Sequence, residues 1–297
     1  CSMRAAFVEA MKTAIPRDDR VILLLGDIGV HAMRDILPRD RVLNLGIREQ
    51  CIVNVAAGLA TQGFYPIVHT IEPFLCERAL EQIKLFAYNG LKGMFVTVGG
   101  SYDYSGLGCT HHCPAGPGNM LSIPGMQVLT PSTSKYVDCV FNTELHAKGL
   151  AYMRLIDGPQ GEGWGSHYTL PGEHFEYPAI ITTGTLDRLV DKTVKRSMHI
   201  HLSRLDDAYQ TLWYILANNC GNGFPTVPRK VLLVEEWYSG TITRMVTEAF
   251  YPRPVLIQHL GVPRQFLTEY GTKAEMEARI GLTTENLAMA MEMLHHA

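Results

Sequence analysis

Along this chain, short and continuously apolar runs alternate with stretches in which apolar residues recur every three or four positions. The runs read as strands and the stretches as helices. Residues 4–14 carry the helical spacing and stop ahead of Pro16. Val21 to Leu25 is unbroken apolar sequence closed by Gly26-Asp27, the mark of a strand buried on both faces. Further strands are expected at Arg41–Leu45, Ile67–Thr70, Met94–Val98, Pro124–Leu129 and Leu150–Leu155. Between them fall three helices: Glu49 to about Thr61, a long one opened by Pro73 and running to Tyr88, and Ser132–Ala147 capped by Ser132 or Thr133.

The alternation resumes after a stretch rich in Gly and Pro. Strands are expected at Ala179–Thr183, Met198–Leu202, Lys230–Glu235 and Val255–His259. Helices are expected at Leu186–Lys195, Asp206–Asn218, Gly240–Phe250, Lys273–Arg279 and Thr284–Leu294, with a flexible connection over 219–229. Buried strands separated by helices predict an α/β chain of two doubly wound domains, each a mostly parallel sheet flanked by helices. The first domain would cover 1–157, the linker 158–178 and the second domain 179–297.

Composition narrows the function classes. Hydrophobic residues make up 46% of the 297 positions and charged residues 19%, a globular balance that excludes disorder. A net charge of −3 offers nothing to nucleic acid or an anionic membrane. The apolar runs are strand-length, too short to cross a bilayer. No secretory signal is expected, and Met3 reads as the native start. Seven scattered cysteines, an odd number, point to reduced thiols in a cytoplasm. Cys109-Thr110-His111-His112-Cys113 invites a zinc reading, but no second ligand pair lies nearby, and a polar loop serving something else fits better.

Candidate chemistry gathers where strands end. Gly46-Ile47-Arg48-Glu49 puts an acid in the first turn of a helix, near the positive end of its dipole. The crowded Ala/Gly-rich helix that follows would let that carboxyl share a proton with a ligand nitrogen. Phe74 and Arg78 lie four apart on one helix face. The segment Gly99 to Gly118, rich in Gly, Tyr, His and Cys, follows a strand and is expected as a long functional loop at the carboxyl edge of the sheet.

The order of these pieces resembles the C-terminal half of transketolase, from Val21 to about Leu294. Gly46-Ile47-Arg48-Glu49, Phe74-Leu75 with Arg78-Ala79-Leu80-Glu81-Gln82-Ile83, Thr110-His111, Tyr152-Met153-Arg154-Leu155 and Val234-Glu235-Glu236 carry the resemblance. It implies a pyrimidine-binding domain followed by a transketolase C-terminal domain, with thiamine diphosphate and Mg²⁺ as cofactors. On that resemblance Glu49 activates the aminopyrimidine, Phe74 stacks on it and Ile47 lines it. His111 serves as proton donor or acceptor, and Arg154 binds a substrate phosphate or carboxylate. His69, His112, Asp103 and Arg78 are further substrate candidates.

Two departures stand out. Leu107 falls where the family carries an Asp that recognises a sugar hydroxyl, so the substrate is expected to differ from an ordinary pentose phosphate. The domain that holds the diphosphate and metal is absent from this sequence. The resemblance therefore implies a separate N-terminal-half subunit, a site formed where the two chains meet, an α2β2 assembly, and small sugar or keto-acid substrates. The alternatives are the β subunit of a 2-oxoacid dehydrogenase and a non-catalytic assembly subunit.

Overall fold

The computed structural model describes residues 1–36, 38–161, 165–169, 177–190, 197–220 and 228–297. Two sheets organise the chain. The first holds β1 (Val21–Leu25), β2 (Val42–Asn44), β3 (Tyr65–Ile71), β4 (Gly93–Val98), β5 (Gln127–Leu129) and β6 (Leu150–Arg154). Its strands are all parallel, in the order β2-β1-β3-β4-β6-β5. Its helices are α1 (Met3–Arg17), α2 (Val30–Met33), α3 (Glu49–Thr61), α4 (Glu72–Cys76), α5 (Leu80–Tyr88), α6 (Gly116–Leu121) and α7 (Ser134–Ala147).

Side-chain alternation along β1 explains the layering. Val21, Leu23 and Leu25 join Phe7, Met11 and Phe141 on the side of α1 and α7, while Ile22 and Leu24 join Ile52, Val53 and Ile83 on the side of α3 and α5. Burying each such side chain contributes about 1.5–3 kcal/mol. A strand covered on both faces must therefore be apolar at every position, as β1 is.

The second sheet holds β7 (His167–Thr169), β8 (Ala179–Thr183), β9 (His199–Leu202), β10 (Lys230–Tyr238) and β11 (Leu256–Val262) in the order β11-β10-β8-β9-β7. Only β7, at the edge, runs antiparallel among these. The helices α8 (Ala208–Cys220), α9 (Thr243–Phe250), α10 (Lys273–Ile280) and α11 (Thr284–His296) accompany it. The two sheets are joined through backbone: Thr130 N–H donates to Ser203 O at 2.7 Å, and Leu205 N–H to Val128 O at 2.8 Å. No helix among the described residues is long and apolar enough to cross a membrane.

Five expectations need correction. The helix from Pro73 to Tyr88 is two helices, α4 and α5, interrupted at residues 77–79. The Asn119 side chain donates to Cys76 O at 3.1 Å, taking a carbonyl that a continuing helix would have used. The linker is not wholly irregular, because β7 lies in it and pairs with β9. The loop after β4 is built of two 3₁₀ turns, Ser105–Leu107 and Cys109–His111, and then α6. Finally, β10 continues past Glu235 to Tyr238, with a register shift against β11. The expected helix over 186–195 is a 3₁₀ turn at Leu186–Leu189, and its remainder (191–196), like the connection over 221–227, lies outside the described residues.

Candidate active site

The carboxyl edge of the first sheet is tied together by Asn44 at the end of β2. Its Oδ1 accepts from Asp27 N–H at 3.0 Å and Gly46 N–H at 3.2 Å, and its Nδ2 donates to Asp27 Oδ1 at 3.0 Å. Gly46 then turns the chain at φ +74, with nothing near enough to obstruct a side chain. The backbone conformation, not space, is what demands glycine there.

That turn delivers Glu49 into the first turn of α3 as a fully buried carboxylate. Its Oε1 accepts from Thr70 Oγ1 at 3.2 Å, and its Oε2 from Arg78 Nη1 at 2.6 Å. The Arg78 side chain is 38% exposed, and its guanidinium lies 4.3 Å from the centroid of the Phe74 ring. Phe74 also meets His111 edge-on at 5.4 Å, and Thr110 Oγ1 lies 3.0 Å from His111 Nδ1. Glu49, Phe74, Arg78 and His111, drawn from α3, α4, the helix break and the loop, thus form one group. Ile47 stands beside Glu49 in the chain, 65% exposed. Thr70 was not legible as a partner, although strand alternation puts it on the α3 face of β3.

Other expected site residues are directed elsewhere. Arg154, expected at a substrate anion, is 1% exposed. Its Nε lies 3.3 Å from Glu72, its Nη1 bonds Glu236 at 3.0 Å, and its Nη2 bonds Ser101 Oγ at 2.9 Å. Gly100 leaves room for this, since a Cβ there would fall 2.4 Å from the guanidinium carbon. Burial works against the charge, but Glu72 and Glu236 outweigh it and push the Arg154 pKa up. Asp103, also expected at substrate, is ion-paired with Lys273, its carboxylate buried. Both side chains are therefore engaged by charged neighbours within the chain.

His69 lies one residue from Thr70 and so on the opposite face of β3, packed 4.9 Å from Phe7 with Nδ1 2.9 Å from Val96 O. Burial lowers its pKa to about 4, and it is not part of the Glu49 group. Both ring nitrogens of His112 are buried and make no hydrogen bond among the described residues, and burial lowers its pKa as well. Leu107 is 54% exposed on the loop. Cys109 is exposed and Cys113 buried, and no group of three or more His, Cys, Asp or Glu among the described residues could hold a metal.

The arrangement is that of an α/β protein with a buried carboxylate, an aromatic ring and a histidine gathered where its first sheet ends. Residues 1–156 match the family described as transketolase, pyrimidine binding domain. The chain belongs to the transketolase family, for which thiamine diphosphate is the implied cofactor. It is 31% identical over 297 residues to an uncharacterized 33.6 kDa protein in the fasciation locus of Rhodococcoides fascians, covering 96% of this chain and 92% of that one. Over 162 residues it is 30% identical to the 6-deoxy-6-sulfo-D-fructose transketolase subunit SqwH of Clostridium sp. strain MSTE9, covering 53% of this chain and 50% of that relative. Its fold is shared with a solved structure described as a split gene transketolase, inactive beta4 tetramer. The TM-score is 0.82 at 20% identity, covering 100% of this chain and 99% of the other.

Proposed function

We propose that this chain is one of two unlike subunits of a cytoplasmic transketolase-like enzyme that moves a two-carbon ketol unit from a ketose-type donor to an aldehyde acceptor. The observation that carries the reading is the meeting of Glu49, Phe74 and His111 at the sheet edge. The residues present suit the cofactor. Arg78 already lays a flat, nitrogen-bearing group against Phe74 and bonds it to Glu49, the two contacts an aminopyrimidine ring requires. Being partly exposed, Arg78 is the partner able to swing aside.

Thiamine diphosphate, when bound, would supply a nucleophilic carbon and an electron sink for cleavage of a carbon–carbon bond. Glu49 holds a proton at a pyrimidine ring nitrogen and returns it, screened from water by its burial. Phe74 offers the ring face, a contact worth about 0.5–1.5 kcal/mol beyond burial. His111, bonded through Nδ1 to Thr110, turns Nε2 toward a substrate hydroxyl or carbonyl as proton donor or acceptor.

In this reading the diphosphate and Mg²⁺ sit on an N-terminal-half partner subunit, in an α2β2 assembly. Supporting it are the 30% identity to a protein named as a transketolase subunit and the likeness to a chain described as a split gene transketolase, inactive beta4 tetramer. Calorimetric titration of thiamine diphosphate and Mg²⁺ into the chain alone and into the mixture with its partner tests the proposal. Tight binding in the mixture alone is expected. Tight binding to the isolated chain removes the need for a partner, and no binding in either removes the enzyme reading.

A further inference from the structure

Beneath the loop that carries His111 lies a charge network that the chemistry above does not use. Lys273 Nζ, on α10, bonds Glu236 Oε1 at 3.1 Å and also pairs with Asp103. Glu236, near the end of β10, binds Arg154 at the end of β6. Arg154 in turn binds Ser101 on the loop and faces Glu72 at the start of α4. Glu72 Oε2 accepts from Ser101 N–H at 2.8 Å, and Tyr152 O–H donates to its Oε1 at 2.6 Å. Asp103 Oδ2 accepts from Gly100 N–H at 3.0 Å and Asp157 N–H at 2.7 Å, tying the start of the loop to the chain that leaves β6. Tyr102 O–H reaches Glu277 on α10 at 3.4 Å, and Arg188 pairs with the same carboxylate.

The network therefore runs from the second sheet, through two buried cations, into the backbone of the loop and the first residue of the helix that carries Phe74. Charges this deeply desolvated persist only in a well-defined arrangement, because each loses several kcal/mol when a partner moves away. Such a network has few alternative geometries, and the segments it joins inherit that restriction.

We propose that Arg154 and Lys273 are positioning residues through which the second domain sets the loop 99–113, and with it His111 against Phe74 and Glu49. Neither cation touches substrate. The catalytic half of this inference rests on the function proposed above, and the structural half does not. The second domain thereby gains a task in the active site although it contributes no side chain to the Glu49 group.

The test is hydrogen exchange on the full chain, with kinetics of the reconstituted two-subunit enzyme as a second readout. In Lys273→Met, amides of 99–113 should exchange about tenfold faster or more while those of β1 and β3 keep their protection. kcat should fall about tenfold with every donor, KM should stay within about twofold, and Lys273→Arg should restore most of both. If Lys273→Met loosens the whole molecule, Asp103→Asn provides the milder break, leaving the Lys273–Glu236 pair intact, and must still loosen the loop. Unchanged loop protection in a folded variant overturns the proposal. So does a rise in KM confined to anionic donors with kcat unchanged in Lys273→Met, which would make the buried network part of substrate binding. Wild-type enzyme inactive with every donor would instead count against the proposed function, and the exchange result would still judge the clamp.

Discussion

The loop 99–113 lies between two charged clusters that use the same residue types differently. Above it, Glu49 has one fixed partner, Thr70, and one half-exposed partner, Arg78. Below it, Glu236 has two cations, both buried, and those cations have further carboxylates of their own. A pair with one partner open to solvent can be exchanged for a ligand at small cost. A network closed on all sides cannot. The difference between a site and a strut here lies in how many partners each charge has and whether one of them can leave.

The largest effect expected is on turnover. Glu49→Gln should lower kcat of the reconstituted enzyme by about 10²–10⁴-fold while the unfolding midpoint barely moves, because the amide keeps the shape. Next in size is stability below the loop. Lys273→Met should cost about 3–5 kcal/mol by urea unfolding, leaving Glu236 and Asp103 short of a partner. The same experiment on Arg78→Met, above the loop, should cost less, about 1–3 kcal/mol, since Glu49 keeps Thr70 and the half-exposed position of Arg78 admits water. If those two values were reversed, the comparison would fail.

Adjacent residues on β10 sharpen it further. Burial works against charge on Glu236, but Lys273 and Arg154 hold its carboxyl well below the usual carboxylate range. Glu235 points the other way, accepting from Gly240 N–H, Ile242 N–H and Trp237 Nε1–H, and burial pushes its pKa from 4.5 up to about 7. The folded chain thus binds that proton more tightly than the unfolded chain does. The resulting stability is full below pH about 4.5 and is lost as pH rises through about 7, a change of about 3 kcal/mol. Glu235→Gln should flatten that part of the pH profile of urea unfolding. The smallest expected effect is that of Phe74→Ala, which should weaken thiamine diphosphate binding to the assembled enzyme severalfold, matching a stacking contact of about 0.5–1.5 kcal/mol.

Much of this was legible in the sequence where the causes are local. Strands covered on both faces must be apolar throughout, so β1, β4 and β6 announce themselves. Glu49 is visible because a glycine turn and a helix start are written within four residues. The burial of Arg154 was not legible because its partner Glu236 lies 82 positions away, and no local pattern distinguishes a cation that faces solvent from one met by a distant carboxylate. The strand β7 is three residues long with no apolar run, and only its pairing with β9 defines it. The interruption between α4 and α5 was hidden for the same reason, since the side chain that meets the Cys76 carbonyl there is contributed by α6.

That interruption has a consequence for how such sequences diverge. Asn119 lies 43 positions from Cys76, yet its amide meets a carbonyl left open where α4 ends. Residues 77–79 follow that carbonyl, and among them Arg78 reaches both the Phe74 ring and Glu49. A chain that lost the amide at 119 would have to find another donor for that helix end. Position 119 and positions 76–79 should accordingly change together across descendants of this fold, a correlated drift between an unremarkable asparagine and a helix end it satisfies from a distance.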